Sequence, residues 1–501
     1  MSAAISDATL FLSISELGKR FRDGSLSPVA LTQAYLERCS KLGPELNAVA
    51  TLTTARALKQ ARQAEQELKT GHDRGPLHGI PYAAKDLLAV AGYPTTWGAK
   101  PYANQRFDFD ATVIERLDAA GAVLIAKAAM IELAGGLGYS GPYASLTGPC
   151  HNPWNTKYWS CGSSSGSGAM VAAGLATFAL GSDTRGSIIC PATWCGVAGL
   201  RPSFGRVSRH GVMTIAWTMD KIGPLARTAE DAALVLAAIA GHDARDWDSL
   251  PAAEAQFDVA ASRPRGLRVG RLTNVFPYAK PELHQAVDRA LDVLRAQGAT
   301  VEDTEIPQAP FEEASELVIL IEAASAFSEL IASGRCQMLE DPLGQINGYA
   351  SSEFKATDYI QLQRVRLELA RKMDALFEHF DVIAAPGQGS TASLIPAHAP
   401  TGEPTERPRP AARAPHPPHG ENLQRRRAFR SDSLQPDGIS SLCGLPAVTV
   451  PAGLSANQLP IGVQFMGRAL NDAAPLAAAR LLQAHSSWHL KRPPMPYGVS
   501  S

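Results

Sequence analysis

The strongest constraint on the fold is a glycine- and serine-rich stretch in the middle of the chain, residues 161–201. It reads CGSSSGSGAMVAAGLATFALGSDTRGSIICPATWCGVAGLR. A Gly/Ser loop at residues 162–168 leads into a helix of small residues that starts at Ala169. A strand-like run, ATFALG, then enters a second glycine turn. Loop, helix, strand and turn in so short a span are typical of a layered α/β fold.

Helical and strand patterns alternate along the rest of the chain as well. The predicted helices are residues 29–41, 53–69, 111–120, 228–240, 281–297 and 472–484, and residues 311–380 are mostly helical. The predicted strands are residues 122–127, 267–272, 300–306, 447–451 and 461–466, the last two paired. Ser13 with Glu16, and Thr228 ahead of two acidic residues, are helix-start signals. We therefore expect α/β layers around a largely buried sheet.

The charge balance excludes several classes of partner. The 501 residues carry a net charge of −1, so no strong field attracts nucleic acid or an anionic membrane. The N-terminus lacks a basic region followed by a cleavable apolar segment, and no run of about 18 apolar residues occurs. We expect a cytoplasmic protein with a small substrate, and neither nucleic acid nor a membrane as partner.

The seven cysteines include no CxxC pair. Their odd number and the length of the chain argue against a disulfide framework, so we expect reduced thiols. Cys150, Cys161, Cys190 and Cys195 lie in or near the glycine-rich stretch, but histidine and carboxylate ligands at zinc-like spacing are lacking there. We expect no metal site.

Ser187 is the candidate nucleophile of the glycine-rich stretch. Gly181 and Gly186 allow a sharp turn that brings backbone N–H groups towards a ligand. A serine after such a turn can expose its hydroxyl, and nearby amides can stabilise an oxyanion. A phosphate-binding loop and a purely structural Gly/Ser loop are the alternatives. The GxxxxGK[ST] pattern of the former is missing, as is the GxSxG elbow of α/β-hydrolases.

Three separated motifs resemble the amidase signature family. CGSSSGSG and GSDTRGSIICPATWCGVAGLRPS are similar to its signature, with the two key serines 187 − 163 = 24 residues apart. HGIPYAAKDLL resembles the element that supplies the family's catalytic lysine, and GLPAVTVPAG and LPIGVQFMGR resemble its C-terminal strands. The resemblance covers residues 10–490 except 390–430. It implies a single large α/β/α layered domain with a mixed, twisted sheet flanked by helices.

The resemblance implies a role for each matching residue. Ser187 is the nucleophile, Ser163 is a bridging serine that follows a cis peptide bond, and Lys85 is the base. Burial lowers the pKa of a lysine from its usual value of about 10.4, so a desolvated Lys85 can accept a proton near neutral pH. The implied oxyanion hole consists of the backbone N–H groups of Thr184, Arg185, Gly186 and Ser187, with Ser164 and Asp183 bracing the network.

Several departures from the family pattern bear on specificity. Arg185 replaces a glycine beside the nucleophile, where its side chain either lines the pocket or points away and braces the loop. Ile189 stands where arginine is common. Cys161 and Ser165 replace glycines, which small side chains tolerate where φ is negative. Candidate substrate-binding residues are Met130, Gly135, Gly136, Tyr139, Trp159 and Trp194, with Trp217 also near in sequence and a core position as the alternative for each aromatic residue.

The activity implied by the resemblance is that of an amidase. It hydrolyses the C–N bond of small aryl or alkyl amides through an acyl-enzyme on Ser187, and carbamates are the chemically adjacent class. No metal or organic cofactor is implied, and we expect a monomer or a homodimer. Two alternatives are the glutaminase component of the glutamine-dependent tRNA amidotransferase and a catalytically silent scaffold with the same fold.

The predicted organisation has three parts. Residues 1–70 form an N-terminal helical region packed on the core, and residues 71–395 with 431–495 form the catalytic domain. Residues 396–430 are rich in proline and arginine and cannot pack a core, so we expect a mobile surface loop. A basic patch at residues 425–427 that contacts phosphate or nucleic acid is one alternative, and a local reading-frame error is another.

Overall fold

An eleven-stranded sheet forms the centre of the protein. The computed structural model describes residues 5–262, 266–398 and 434–494. In chain order the strands are β1 (Val49–Leu52), β2 (Pro81–Lys85), β3 (Val123–Ala128), β4 (His151–Asn152), β5 (Asn155–Trp159), β6 (Phe178–Asp183), β7 (Ala198–Arg201), β8 (Lys221–Ala226), β9 (Arg268–Leu272), β10 (Thr300–Thr304), β11 (Val382–Pro386), β12 (Ala447–Leu454) and β13 (Pro460–Gly467). The order across the sheet is β1-β3-β2-β6-β8-β7-β12-β13-β11-β9-β10, and β4 pairs with β5 separately.

Parallel and antiparallel strands alternate in blocks within this sheet. Strand β2 runs parallel to β3 and β6, and β9 runs parallel to β10 and β11. The other neighbours in the sheet are antiparallel. The predicted mixed sheet is confirmed. Because the carboxyl ends of parallel strands meet at one edge, the last residues of β2 and β6 lie close together.

Helices flank the sheet. They are α1 (Ile14–Arg22), α2 (Pro28–Leu46), α3 (Thr54–Lys69), α4 (Thr112–Ala119), α5 (Ser165–Ala172), α6 (Ile189–Cys195), α7 (Ala229–Ile239), α8 (Ala252–Ala255), α9 (Pro281–Ala296), α10 (Phe311–Ala326), α11 (Ser328–Ala332), α12 (Pro342–Gln345), α13 (Ala356–Leu376), α14 (Pro436–Leu442) and α15 (Ala473–Ala484). The predicted α/β class is confirmed. Within the described ranges, no helix has the length and apolar character that a membrane span requires.

Local signals explain where several helices begin. The Ser13 hydroxyl accepts a hydrogen bond from the Glu16 N–H at 3.2 Å, and the Thr228 hydroxyl accepts one from the Asp231 N–H at 3.0 Å. Each serves a backbone N–H that has no partner inside its helix. Both predicted helix starts are confirmed.

The N-terminal region contains one strand that the sequence pattern did not predict. Residues 49–52 form β1, which pairs antiparallel with β3 at the edge of the main sheet. Four residues between two helices are too short for a clear periodic pattern. The first 70 residues are therefore helical except for one edge strand. Of the predicted loop at 396–430, residues from 399 onward lie outside the described ranges.

The helix after the Gly/Ser loop packs unusually close to the sheet. A β-carbon on Gly166 of α5 would lie 2.3 Å from the Ala48 carbonyl oxygen and 2.5 Å from the Ala129 nitrogen. No side chain fits there without moving backbone. The glycine thus seats α5, and the loop before it, directly on the end of β3.

Candidate active site

Lys85 occupies the buried end of β2. Its Nζ lies 2.7 Å from Ser163 Oγ and 2.9 Å from Ser182 Oγ, and the three side chains are almost fully buried. Burial lowers the pKa of Lys85 to about 7, although the charges of Asp183 and Asp220 act in the opposite direction. A lysine in this setting can be neutral at physiological pH and accept a proton from a hydroxyl.

The loop that carries Ser163 has an unusual backbone. The peptide bond between Gly162 and Ser163 is cis, and Cys161 has a φ of 69°. A β-carbon on Gly162 would lie 2.6 Å from Ile131 Cγ1. The Ile131 N–H donates to the Ser163 carbonyl at 3.1 Å, which anchors the loop. The expectation of a negative φ at Cys161 was wrong, whereas Ser165 sits in α5 as an ordinary helical residue.

A disulfide bond joins Cys161 to Cys190. The expectation of reduced thiols was therefore wrong for this pair, while Cys150 and Cys195 are free and buried. The bond links the loop before Ser163 to the first turn of α6, which follows Ser187. The two cysteines are 29 residues apart in sequence, and only the packing of the loop against α6 brings them together.

Ser187 follows Gly186, whose φ is 94°. The residue is partly exposed, and its carbonyl accepts the Ser164 N–H at 3.2 Å. Ser164 Oγ also donates to the Ser182 carbonyl at 3.2 Å, so this serine ties both loops together. Within the described chain, no hydrogen bond joins the hydroxyls of Ser163 and Ser187. Catalytic hydrogen bonds are often formed only when substrate is bound.

Asp183 shapes the turn before Ser187. Its Oδ1 accepts the Gly186 N–H at 2.7 Å, and its Oδ2 accepts the Ile188 N–H at 2.8 Å. Burial alone would raise the pKa of Asp183, but Arg201, 3.5 Å away, and these N–H donors hold the pKa below its usual value. Asp183 is thus ionised and fixes the backbone of the loop.

The backbone amides of the turn are not equivalent. The Gly186 N–H is donated to Asp183, as described above. The N–H groups of Thr184, Arg185 and Ser187 make no hydrogen bond with any described residue. Three of the four amides suggested for an oxyanion hole are therefore free to receive a ligand.

A second layer of polar residues lies behind the turn, and the sequence motifs did not indicate it. The Thr184 hydroxyl donates to Asp220, and the Ser441 hydroxyl donates to the Thr184 carbonyl. Lys221 Nζ in turn donates to Ser441 Oγ at 2.8 Å. These residues come from β8, the segment before it and α14, far from the turn in sequence, and no local pattern marks them.

Arg185 turns towards α10. Its guanidinium forms ion pairs with Glu312 and, at 3.3 Å, with Glu316. Glu312 also accepts the Gln435 N–H at 2.8 Å. Of the two orientations considered for Arg185, the contacts match the one that braces the loop. Ile189 packs in a separate buried hydrophobic cluster and donates its N–H weakly to Asp183 at 3.4 Å.

Three of the candidate substrate-binding aromatics come together beside the disulfide. The ring centroid of Trp159 lies 6.3 Å from that of Tyr139 and 5.8 Å from that of Trp194, both edge to face. Trp194 Nε1 donates to the Ser390 carbonyl at 3.0 Å, whereas the buried Trp159 Nε1 has no hydrogen-bond partner among the described residues. The cluster forms an apolar wall that contains Cys161 and Cys190.

The other candidates lie at different positions. Gly135 packs under Tyr139, with its β-carbon position 2.6 Å from Tyr139 Cε1, whereas Gly136 packs on Phe327. Met130 belongs to the main hydrophobic core. Trp217 is 56% exposed and packs over Arg209, outside the aromatic cluster.

The described residues contain no group of three or more His, Cys, Asp or Glu side chains arranged to hold a metal ion. The four cysteines near the glycine-rich stretch form one disulfide and two buried free thiols. The functional groups that the site offers are therefore hydroxyls, a lysine amine, carboxylates and backbone amides.

Comparisons with known proteins agree with this geometry. The family model "Amidase" matches residues 30–476. The A-type subunit of the glutamyl-tRNA(Gln) amidotransferase of Chloroflexus aggregans (strain MD-66 / DSM 9485) is 34% identical, over 96% of this chain and 98% of the relative. The protein of the same name from Anaeromyxobacter dehalogenans (strain 2CP-C) is 36% identical, over 97% and 98%.

A solved structure extends the likeness to the whole fold. The native peptide amidase from Stenotrophomonas maltophilia superposes with a TM-score of 0.79 at 31% identity, covering 96% of this chain and 98% of that one. The resemblance expected from the motifs is confirmed. The chain belongs to the amidase family, whose enzymes act on the C–N bonds of amides.

Proposed function

We propose that the protein hydrolyses the C–N bond of small amides through an acyl-enzyme on Ser187. The observation that carries this proposal is the contact between Lys85 Nζ and Ser163 Oγ at 2.7 Å, in a fully buried setting. The amine loses its proton near neutral pH and touches a hydroxyl whose loop adjoins that of Ser187. A buried base, a bridging hydroxyl and a partly exposed serine are the components that acyl transfer requires.

The proton moves along these residues. Neutral Lys85 takes the proton of Ser163 while Ser163 takes that of Ser187, and Ser187 Oγ attacks the substrate carbonyl carbon. The same relay returns the proton to the leaving nitrogen, because an amine leaves only when protonated. Water then attacks the acyl-enzyme, and the relay accepts and returns its proton in turn.

The oxyanion of the tetrahedral intermediate needs fixed N–H donors. We assign this role to the backbone amides of Thr184, Arg185 and Ser187, which have no partner within the described chain. Gly186, the fourth amide suggested by the family pattern, donates to Asp183 and instead holds the turn in shape. Donors held in place before the reaction stabilise the developing charge without reorganisation.

The aromatic cluster favours an apolar group beside the scissile bond. Tyr139, Trp159 and Trp194 form a wall next to the disulfide, and such walls bind aryl or alkyl groups by burial of apolar surface. Aryl and alkyl amides fit this description. Carbamates present the same carbonyl and the same amine leaving group, so we include them in the proposed substrate class.

A component of a tRNA amidotransferase is a second candidate function, because relatives of that name are 34% to 36% identical over almost the whole chain. This function needs a partner protein and the release of ammonia from glutamine. Two measurements separate it from a free-standing amidase. Copurification of a second protein together with glutaminase activity would favour the amidotransferase.

The decisive experiment is a hydrolysis panel of anilides, aliphatic amides, carbamates and esters, combined with labelling by a fluorophosphonate. We expect turnover of anilides and a covalent adduct on Ser187 identified by mass spectrometry. Ser187→Ala should abolish both. Ser165→Ala is the matched control, because Ser165 begins the buried helix directly after the loop and its hydroxyl only reaches the Ala129 carbonyl.

Three outcomes would contradict the proposal. Full turnover by Ser187→Ala would mean that another nucleophile attacks the carbonyl. A wild type that is not labelled and hydrolyses no member of the panel would favour the silent scaffold. Loss of activity in Ser165→Ala as severe as in Ser163→Ala would mean that loop integrity, and not the relay, accounts for the effect.

A further inference from the structure

A buried carboxyl group lies beside the turn that carries Ser187 and takes no part in the relay. Asp437, in α14, is 7% exposed. A β-carbon on Gly186 would lie 2.9 Å from Asp437 Oδ2 and 3.3 Å from its Cβ. The Asp437 side chain therefore occupies the space into which any side chain at position 186 would extend.

Two amide side chains hold this carboxyl group. Gln388 Nε2 donates to Asp437 Oδ2 at 2.6 Å, and Gln464 Nε2, in β13, donates to Oδ1 at 3.0 Å. Gln388 follows β11, so three distant segments meet at this point. Gln464 Oε1 is buried and has no hydrogen-bond partner among the described residues.

The charged groups around Asp437 have opposite effects. Burial raises the pKa of Asp437 to about 7, Arg201 lowers it, and the charges of Asp183 and Glu312 raise it further. Arg185 Nε lies 2.9 Å from the β-carbon position of the adjacent Gly438. Lys221 contacts Ser441 on the same helix.

We propose that Asp437 is a positioning residue for the reaction at Ser187, and that it holds the turn through Gly186 as a neutral carboxylic acid whose ionisation slows the reaction. The inference rests on the proposed function of Ser187. Contact with Gly186 keeps the amides of residues 184–187 in place. A negative charge in the same position opposes the charge that develops on the substrate oxygen.

The first test compares Asp437→Asn with wild type as a function of pH. Asparagine is neutral and nearly isosteric, and its Nδ2 can donate to Gln464 Oε1 once that amide rotates. We expect the ratio of kcat/KM, Asp437→Asn over wild type, to be near 1 at pH 6 and to rise to about 10 at pH 9. The rise follows from the ionisation of the wild-type carboxyl group.

The matched control is Asp231→Asn. Asp231 is also buried, with its pKa raised by burial to about 6, but it accepts the Ile14 N–H far from Ser187. Its ratio to wild type should stay constant over the same pH range. A constant ratio for Asp437→Asn as well would overturn the proposed role of the charge.

The second test needs no turnover. Asp437→Ala removes the contact with Gly186, so we expect hydrogen exchange of the amides at residues 184–187 to become at least tenfold faster. With substrate, kcat should fall about tenfold while KM changes less than threefold. Unchanged exchange in a folded Asp437→Ala protein would overturn the positioning role. If wild type neither turns over amides nor reacts with a fluorophosphonate, the proposed function fails, and the exchange experiment still judges Asp437.

Discussion

Lys85 Nζ contacts Ser163 Oγ at 2.7 Å, and no carboxylate hydrogen-bonds to this amine within the described chain. Lys127, on the neighbouring strand β3, is equally buried but lies 2.8 Å from Asp86 Oδ1. The two lysines differ in their partners: Lys127 has a counter-ion and Lys85 has hydroxyls. A buried amine without a counter-ion is the one suited to accept a proton.

The pH dependence of turnover should follow Lys85. Burial places its pKa at about 7, so the amine is protonated and inactive below this pH and neutral above it. We expect kcat/KM for an anilide to rise tenfold per pH unit below about 6.5 and to level off above 8, apart from the effect of Asp437. A profile flat from pH 5 to 9 would contradict the assignment of Lys85 as base.

The same burial should reduce stability at neutral pH. The unfolded chain has a lysine pKa of about 10.4, and the lower folded value means that folding releases a proton between pH 7 and 10. Lys85→Met removes this penalty. We expect its stability gain over wild type in urea unfolding to decrease by about 4 kcal/mol from pH 6.5 to 10.5. Lys41→Met is the control, since Lys41 is exposed and pairs with Glu37 on α2, and its difference from wild type should change much less with pH.

Arg185 should stabilise the turn through Glu312. Removing the guanidinium leaves a mostly buried carboxylate without its cation, which costs about 2–4 kcal/mol. We therefore expect Arg185→Ala to lower the free energy of unfolding by that amount and to reduce kcat. The double variant Arg185→Ala with Glu312→Gln should lose less than the sum of the single variants. Strict additivity would mean that the pair does not interact.

The disulfide should contribute to stability and to the activity of the site. It closes a loop of 29 residues in sequence separation, and a cross-link of that size stabilises a protein by about 3–4 kcal/mol. We expect Cys161→Ala with Cys190→Ala to lose this amount and wild type treated with a dithiol to lose it reversibly. Cys195→Ala, which removes a buried free thiol nearby, should keep the response to dithiol. Two free thiols at 161 and 190, detected by alkylation of untreated protein, would refute the bond.

The aromatic cluster should determine which amides are hydrolysed. Trp159→Ala opens the wall between Tyr139 and Trp194, so we expect KM for anilides to rise at least tenfold and KM for short aliphatic amides to change less than threefold. Trp217→Ala is the control, because Trp217 is 56% exposed and outside the cluster. Equal effects of Trp159→Ala on both classes would mean that the cluster supports the fold without selecting the substrate.

Much of the site was accessible from sequence because its backbone is local. The Gly/Ser loop before α5 and the turn after β6 are continuous segments, and their residue types permit the tight conformations at Gly162 and Gly186. The spacing of 24 residues between Ser163 and Ser187 corresponds to one helix and one strand. Such spans are short enough for a motif to specify residue by residue.

Partners across the sheet could not be predicted in this way. Arg185 meets Glu312 across 127 residues, and Asp437 reaches Gly186 from α14. The pairing of Cys161 with Cys190 ran against the expectation from composition. Each contact depends on how distant segments are brought together when the sheet and its flanking helices assemble, which no local pattern encodes.

The sequence by itself determined which groups are present and the order in which they occur: a lysine at the end of β2, a serine in the Gly/Ser loop and a serine after a glycine turn. Tertiary structure alone decided their electrostatic state. Lys85 loses its proton easily because packing removes water and supplies hydroxyls instead of a carboxylate. Burial and the identity of neighbours are properties of the folded chain, since they arise from segments that meet only when the sheet is complete.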